Sequence, residues 1–168
     1  MPCGIRYLAI DLGDKRTGLA LGNSATAIVT PIGMIEVQIA HGQGSALLEA
    51  IARVAVEQLG EDPKREPGEL IMGLPLNMDG TEGPRAKIVR SFGDRLALRT
   101  GRAIHMQDER LTSADADWQM AGTGMTHKQK KEKRDSLAAA AILSDFLESR
   151  GVRPEETTDR DRPSPGWG

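Results

Sequence analysis

The sequence predicts an α/β protein built on a mixed five-stranded sheet with helices packed against it. Three observations support this prediction. The N-terminal part holds three β-rich runs, the apolar residues then recur with helical spacing, and short apolar runs alternate with helical segments up to Ser149. Three meandering strands followed by alternating helices and strands give a three-stranded antiparallel meander joined to two parallel strands.

Size and composition restrict the class of protein. A chain of 168 residues, 39% hydrophobic and 27% charged, can fold around one core without disulfides or a structural metal. The single cysteine, Cys3, excludes a disulfide scaffold, and no apolar run or signal segment suggests a membrane or export, so we expect a cytoplasmic protein. A formal charge of -2 argues against a generally basic nucleic-acid coat, so such binding needs a local patch or bound cations.

The antiparallel meander opens the chain. Residues 7–12 and 17–22 flank a Gly-Asp-Lys-Arg turn and are predicted to form a hairpin. The third strand, residues 28–37, contains Pro31, which lacks a backbone N–H. We therefore expect this strand at an edge of the sheet.

Two amphipathic helices follow. The first spans residues 45–59, and the second spans residues 84–98, with Pro84 at its start and Gly101 at the position of a C-terminal cap. The apolar stripe of the first helix holds Leu47, Leu48, Ile51, Ala52, Ala55 and Leu59. The stripe of the second holds Ile88, Val89, Phe92, Leu96 and Ala97.

The remaining elements complete the predicted domain. Residues 69–74 and 102–107 are short apolar runs, typical of buried parallel strands. Helices are predicted at residues 113–120 and 136–149, with a start of the latter inside the charged run 127–134 as the alternative. Residues 1–150 are expected to form one domain, and the proline-rich, charged tail 151–168 is expected to be disordered.

Carboxylates stand at the ends of several predicted elements. Asp11 ends the first strand, and Asp135 precedes the apolar stripe of the last helix. Asp108 and Glu109 end the last strand, where alternation sends them to opposite faces, so the pattern does not choose between them. Each acid has a structural alternative: a turn former at Asp11, a helix N-cap at Asp135, and a solvated surface acid at the strand end.

Taken together, these acids predict a metal site. The ends of a central strand, a parallel strand and the last helix can meet at one edge of such a sheet. Carboxylate oxygens are the ligands that Mg²⁺ and Mn²⁺ prefer. Two such ions about 3.5–4 Å apart would clamp the attacking and leaving oxygens of a phosphodiester.

Positive charge is concentrated just before Asp135. The segment 127–134 carries five cations and one anion, a net charge of +4, and its candidate phosphate contacts are Lys128, Lys130, Lys131, Lys133 and Arg134. The alternative is a solvated helix face. Arg16 and Arg110 are candidates to orient a phosphate or to neutralise the carboxylates as ion pairs.

Four segments, in order, resemble the motifs of the YqgF family. They are AIDLGDKRTGLA at 9–20, GLPLNMDGTEG at 73–83, DERLTS at 108–113 and DSLAAAAIL at 135–143. Proteins of this family have the RNase H-like fold and are described as pre-16S rRNA nucleases and as Holliday junction resolvases. The resemblance implies an acidic triad of Asp11, Glu109 and Asp135, and it selects Glu109 over its neighbour.

The resemblance also implies a function and partners. The expected protein is a magnesium- or manganese-dependent nuclease that processes the 5′ end of pre-16S rRNA. In it, Asp11 would bridge two ions. Arg16 and the 73–83 loop would lie beside the scissile phosphate. Structured RNA is the expected partner and the ribosome a candidate. Two alternatives stay open: a resolvase of four-way DNA junctions, which would require a dimer, and a non-catalytic nucleic-acid or ribosome-binding module. The Asp-x-Gly turn also resembles actin-like ATPases and sugar kinases, which need two such domains.

Overall fold

The computed structural model describes residues 4–109 and 126–151, and within them the chain forms one five-stranded sheet. The strands are β1 (Arg6–Asp11), β2 (Thr17–Asn23), β3 (Val29–Ile35), β4 (Gly68–Leu74) and β5 (Ile104–Asp108). Their order across the sheet is β3-β2-β1-β4-β5. The β1–β2 and β2–β3 pairs are antiparallel, whereas β1–β4 and β4–β5 are parallel, so the predicted meander with two parallel strands is confirmed. Pro31 lies in the edge strand β3, as expected.

Three helices of the described chain pack on this sheet. They are α1 (Ser45–Leu59), preceded by a short 3₁₀ turn (His41–Gly44), α2 (Pro84–Thr100) and α3 (His127–Ser149). The predicted helix 113–120 and tail 152–168 lie outside the described residues. In the part of the chain that is described, none of the helices has the length and apolar character needed to cross a membrane.

The start of α3 decides between the two alternatives from the sequence. Thr126 caps the helix, and a reciprocal capping box joins its side chain and backbone to Gln129. The helix therefore includes the charged run, and Asp135 lies more than two turns inside it. The interpretation of Asp135 as the N-cap is wrong.

The sheet has a separate core on each face. The core against α1 and α2 is built from Leu8, Ile10, Leu70 and Met72 of the strands with Leu47, Ile51, Val89, Phe92 and Leu96 of the helices. The core against α3 joins Tyr7, Ala9, Ala20 and Ile71 to Ala139, Ile142, Leu143, Phe146 and Leu147. All six stripe positions predicted for α1 are buried.

The face that α2 buries differs from the prediction. Ile88 is 47% exposed, and Ala97 is only partly buried. Ala86 and Gly93 face the sheet instead, and a Cβ on Gly93 would lie 2.5 Å from Cε of Met106. The small residues let α2 approach closely, which turns Ile88 towards solvent.

The last strand begins two residues later than predicted. Arg102 was assigned to the strand, but its buried guanidinium donates hydrogen bonds to the carbonyl oxygens of Leu59, Gly60, Glu66 and Gly68. These bonds satisfy carbonyl oxygens of the segment that joins α1 to β4. Arg102 is thus a structural cation, and β5 starts at Ile104.

Candidate active site

The register of β1 places Asp11 on the α3 face. Tyr7 and Ala9 contribute to the core beneath α3, and Asp11 is the next residue on that side, at the carboxyl end of the strand. Its antiparallel partner in β2 is Gly18. A Cβ on Gly18 would lie 1.8 Å from the carbonyl oxygen of Asp135, so only glycine lets α3 come this close to the sheet.

Glu109 reaches Asp11 from the end of β5. Its backbone N–H donates to the carbonyl oxygen of Leu74, which continues the parallel pairing by one residue. A Cβ on Gly73 would lie 2.4 Å from Oε2 of Glu109, so the carboxyl group occupies the space above that glycine. Glu109 and Asp11 are joined by a side-chain hydrogen bond.

Asp108 is not part of this hydrogen-bonded pair, although its charge contributes to the raised pKa of Glu109. It lines a separate cavity of about 380 Å³ together with Asp145 and Glu148. The structure therefore brings Glu109, and not Asp108, into contact with Asp11.

Burial raises the pKa of both acids of the pair, and a neighbouring carboxylate adds to the rise in each case. The pKa of Asp11 rises to about 6, first because of burial and then because of the charge of Asp135. The pKa of Glu109 rises to about 7 through burial, the charge of Asp11 and the hydrogen bond to it. The hydrogen bond between them lowers the pKa of Asp11 and raises that of Glu109, which is the pattern of a bond donated by a protonated Glu109. Two adjacent carboxyl groups that hold a proton near neutral pH form a site where a cation can replace that proton.

Asp135 completes the acidic edge from the helix side. Its Oδ2 lies 3.3 Å from Nε of Arg16, and the ion pair is about one-third exposed at Arg16 and less at Asp135. The same Oδ2 is buried and accepts no hydrogen bond from the described residues. Burial raises the pKa of Asp135, while the charges of Arg16 and Arg134 oppose that rise. Of the two roles predicted for Arg16, the structure shows the ion pair.

The donor set fits a hard divalent ion, although the acids are not yet gathered around one point. No group of three His, Cys, Asp or Glu side chains among residues 4–109 and 126–151 is close enough to hold a metal ion as it stands. Asp11 and Glu109 bond to each other, and Asp135 is turned to Arg16. All three offer carboxylate oxygens, and Oδ2 of Asp135 lacks a hydrogen bond from the described residues, as suits Mg²⁺ or Mn²⁺.

The 73–83 loop begins beside this edge. It follows Leu74, whose carbonyl oxygen accepts the Glu109 N–H. The loop is held by internal bonds: the side-chain amide of Asn77 donates to Oγ1 of Thr81, and the Thr81 N–H donates to Oδ1 of Asp79. These bonds fix the shape of the loop where it leaves β4.

Arg85 is a site residue that the sequence reasoning missed. Its guanidinium donates to the carbonyl oxygen of Leu12 over 2.7 Å and is paired with Asp14. Its charge opposes the rise in the pKa of both Asp11 and Glu109. A signal was available, because a cation in the first turn of a helix opposes the helix dipole and needs a compensating role.

The predicted basic contacts are only partly described. Lys133 and Arg134 are exposed on α3, and Arg134 acts on the pKa of Asp135. Lys128, Lys130 and Lys131 belong to the helix, but their side chains lie outside the described residues, as does Arg110. Their role as phosphate contacts stays a prediction.

Comparison with known sequences connects this arrangement to one family. The RuvX family, described as Holliday junction resolvase, matches residues 5–149. A protein of Anaeromyxobacter sp. (strain Fw109-5) is 35% identical over 146 residues, covering 87% of this chain and 98% of that protein. A protein of Thiobacillus denitrificans (strain ATCC 25259 / T1) is 36% identical over 85% of this chain and 91% of its own length. Both are named "Putative pre-16S rRNA nuclease".

Solved structures agree on the fold. The Fowlpox virus resolvase, in complex with substrate Holliday junction DNA, matches with a TM-score of 0.51 and 12% identity over 87% of this chain and 99% of that chain. The large terminase of a thermophilic bacteriophage matches with a TM-score of 0.50 and 11% identity over 88% of this chain and 41% of that one. These likenesses establish the architecture of the sheet and its helices.

Proposed function

The chain belongs to the RuvX family, and from this membership we propose that it is a metal-dependent nuclease that processes the 5′ end of pre-16S rRNA. The observation that carries the proposal is the Asp11–Glu109 pair at the carboxyl ends of β1 and β5. Two half-buried acids held against each other by a hydrogen bond are unfavourable for stability once both are ionised and need a functional reason. The nuclease domain comprises residues 1–150, and rRNA processing implies work in the cytoplasm.

Each acid has a role in this proposal. Asp11 and Glu109 would hold a divalent ion, Mg²⁺ or Mn²⁺, after Glu109 loses its proton. Asp135 would supply a further oxygen after leaving Arg16. A bound ion would supply charge neutralisation and an activated water for phosphodiester hydrolysis. Arg16, once separated from Asp135, would contact a phosphate oxygen, and Arg85 would offset part of the acids' negative charge. Hydrolysis would leave a 5′ phosphate and a 3′ hydroxyl.

The test compares two carboxyl-to-amide changes. A labelled RNA that spans the leader and the 5′ end of 16S rRNA is incubated with the protein and Mg²⁺ or Mn²⁺. Asp11→Asn should lower the cleavage rate about a thousandfold, because a ligand and its charge are lost while the shape is kept. Asp94→Asn, at an exposed position of α2, is the matched control and should keep the full rate. An Asp11→Asn protein as active as the unmodified one would refute the proposal.

Four-way DNA junctions are the second candidate substrate, favoured by the description of the matching family. A parallel cleavage assay on a four-way DNA junction, with the same metals and the same Asp11→Asn control, separates the two substrates. Resolution of a symmetric junction needs two sites at a fixed spacing, so this candidate also predicts a dimer by sedimentation. Binding of either nucleic acid without cleavage would instead support the non-catalytic module.

A further inference from the structure

A groove runs along α2 next to the candidate active site. Its volume is about 450 Å³, and it lies between α2 and the segment that leads from β3 into the 3₁₀ turn. Its lining includes Ile39, Gln43, Arg85, Lys87, Ile88 and Arg95. The exposed side chain of Ile88, which the fold does not need for its core, is therefore part of a concave surface.

Arg85 joins the groove to the acidic edge. It lines the groove, yet its charge acts on the pKa of Asp11 and Glu109, and its guanidinium donates to the carbonyl oxygen of Leu12, which follows Asp11 in the chain. A chain molecule that passes the acids can thus continue into the groove. Arg85 therefore reaches from the groove to the residue that follows Asp11.

The cations of α2 fall into two groups. Arg85, Arg90 and Arg99 are paired with Asp14, Glu82 and Glu49, respectively. Lys87 and Arg95 have no carboxylate partner within the described part of the chain. Arg95 donates instead to the carbonyl oxygen of Gln43 over 2.7 Å.

Both cations without a carboxylate partner line the groove. Eight residues of helix separate them by about 12 Å along the axis, the length of three to four nucleotides at about 3.4 Å each. Positive charge is thus left uncompensated at a spacing that suits a nucleic-acid backbone.

We propose that this groove holds the RNA strand on one side of the scissile phosphate. Lys87 and Arg95 contact phosphate oxygens, while Ile39, Ile88 and Phe92 form an apolar floor for the ribose and base faces. The inference rests on the proposed nuclease function and adds the path of the substrate to it. It also gives a reason for the solvent exposure of Ile88.

The experiment measures binding and cleavage separately. The Lys87→Gln/Arg95→Gln protein is compared with the unmodified protein and with Arg53→Gln/Lys64→Gln, which removes the same charge from exposed positions outside the groove. Lys87→Gln alone is included because, unlike that of Arg95, the Lys87 side chain makes no hydrogen bond with the described residues. Anisotropy of the labelled precursor RNA, and of a labelled four-way DNA junction, is recorded over a range of salt concentrations. KM and kcat for the RNA are measured with Mg²⁺.

The groove variant should bind the RNA about tenfold more weakly. Its salt slope, the slope of the logarithm of the binding constant against the logarithm of the salt concentration, should be smaller in magnitude by about 1.4 to 1.8, as for two lost phosphate contacts. KM should rise with kcat nearly unchanged, and Lys87→Gln should show about half of the change in slope. The remote control should match the unmodified protein.

The outcomes separate the two proposals. The unmodified protein could bind RNA without cleaving it, while the groove variant still shows lower affinity and a smaller salt slope. That result would support the groove as an RNA-binding site and refute the nuclease proposal. Equal affinity, slope and KM in the groove variant and in the remote control would overturn the groove, whatever the cleavage rate. A loss of affinity confined to four-way DNA junctions would overturn the assignment of the groove to RNA.

Discussion

The two faces of the sheet are packed in different ways. On the α1 and α2 side, β2 presents Leu19 and Leu21, and large aliphatic residues fill the space. On the α3 side, the same strand presents Gly18, Ala20 and Gly22, and a Cβ on Gly18 or Gly22 would collide with α3. The first face provides hydrophobic stability. The second brings a helix so close that a carboxylate on it joins the acids at the strand ends.

The largest effect on stability is expected on the α1 face. Ile51 is fully buried there, and Ile51→Ala should lower the free energy of unfolding by about 2–5 kcal/mol through lost burial and a cavity. Denaturant titration measures this loss. The cleavage rate per folded molecule should not change, because none of the three candidate acids lies on this face. Val56→Ala, at an exposed position of the same helix, is the control and should change stability by less than about 0.5 kcal/mol. A lower cleavage rate in folded Ile51→Ala would refute the claim that this face contributes to stability alone.

The α3 face should show the opposite balance. Gly18→Ala forces α3 away from β2, which should cost about 1–3 kcal/mol of stability and reduce cleavage about a hundredfold by moving Asp135. Gly22→Ala is the matched control on the same face, where the added Cβ meets the flexible end of Leu143. It should lower stability with little loss of rate. Equal rates in the two variants would show that the approach at Gly18 does not position Asp135.

The acidic pair should make the metal-free protein less stable as pH rises. The pKa of Glu109 is about 7 in the folded protein and 4.5 as the ordinary value, so its contribution is fully present below about pH 4.5 and is lost as pH rises through 7. In EDTA, thermal unfolding should show a decline on the order of 1–2 kcal/mol between about pH 5 and pH 8. Glu109→Gln should flatten that decline. An unchanged pH profile in Glu109→Gln would show that the pair is not its source.

The smallest effect concerns Arg16. Its pair with Asp135 is partly exposed, so Arg16→Gln should change stability by no more than about 1 kcal/mol. Because the charge of Arg16 opposes the rise in the pKa of Asp135, that pKa should rise further in the variant. Carboxyl NMR titration measures it, with Arg65→Gln, at an exposed ion pair, as the control. A fall in the pKa would contradict the assigned electrostatics.

The same contrast shows what the sequence could predict. Periodicity identified the buried stripe of α1, because large apolar residues leave few choices of face. The missing N–H of Pro31 identified the edge strand. It failed at Ile88, because the rotation of α2 depends on the close contact of Gly93 with Met106. The early start of α3 had a readable signal in the Thr126 and Gln129 capping box.

The site residues were likewise only partly predictable from the sequence. Alternation predicts that only one of Asp108 and Glu109 joins the site, but the choice of Glu109 came from the family resemblance and not from the pattern. The contacts of Arg85 and Arg102 join segments far apart in the chain. The place of Arg85 in the first turn of α2 indicates a role, but no local pattern identifies the partners of either cation. Sequence reasoning thus predicted the sheet edge better than the cations around it.

The central claim is that Asp11 and Glu109 bind a divalent ion at the edge of the sheet. The most direct test is a crystal of the protein soaked in Mn²⁺ and measured for anomalous scattering. The account predicts a peak in bonding contact with oxygens of both carboxyl groups, and its loss in Asp11→Asn. Anomalous density elsewhere, with Asp11 and Glu109 still hydrogen-bonded to each other, would contradict it.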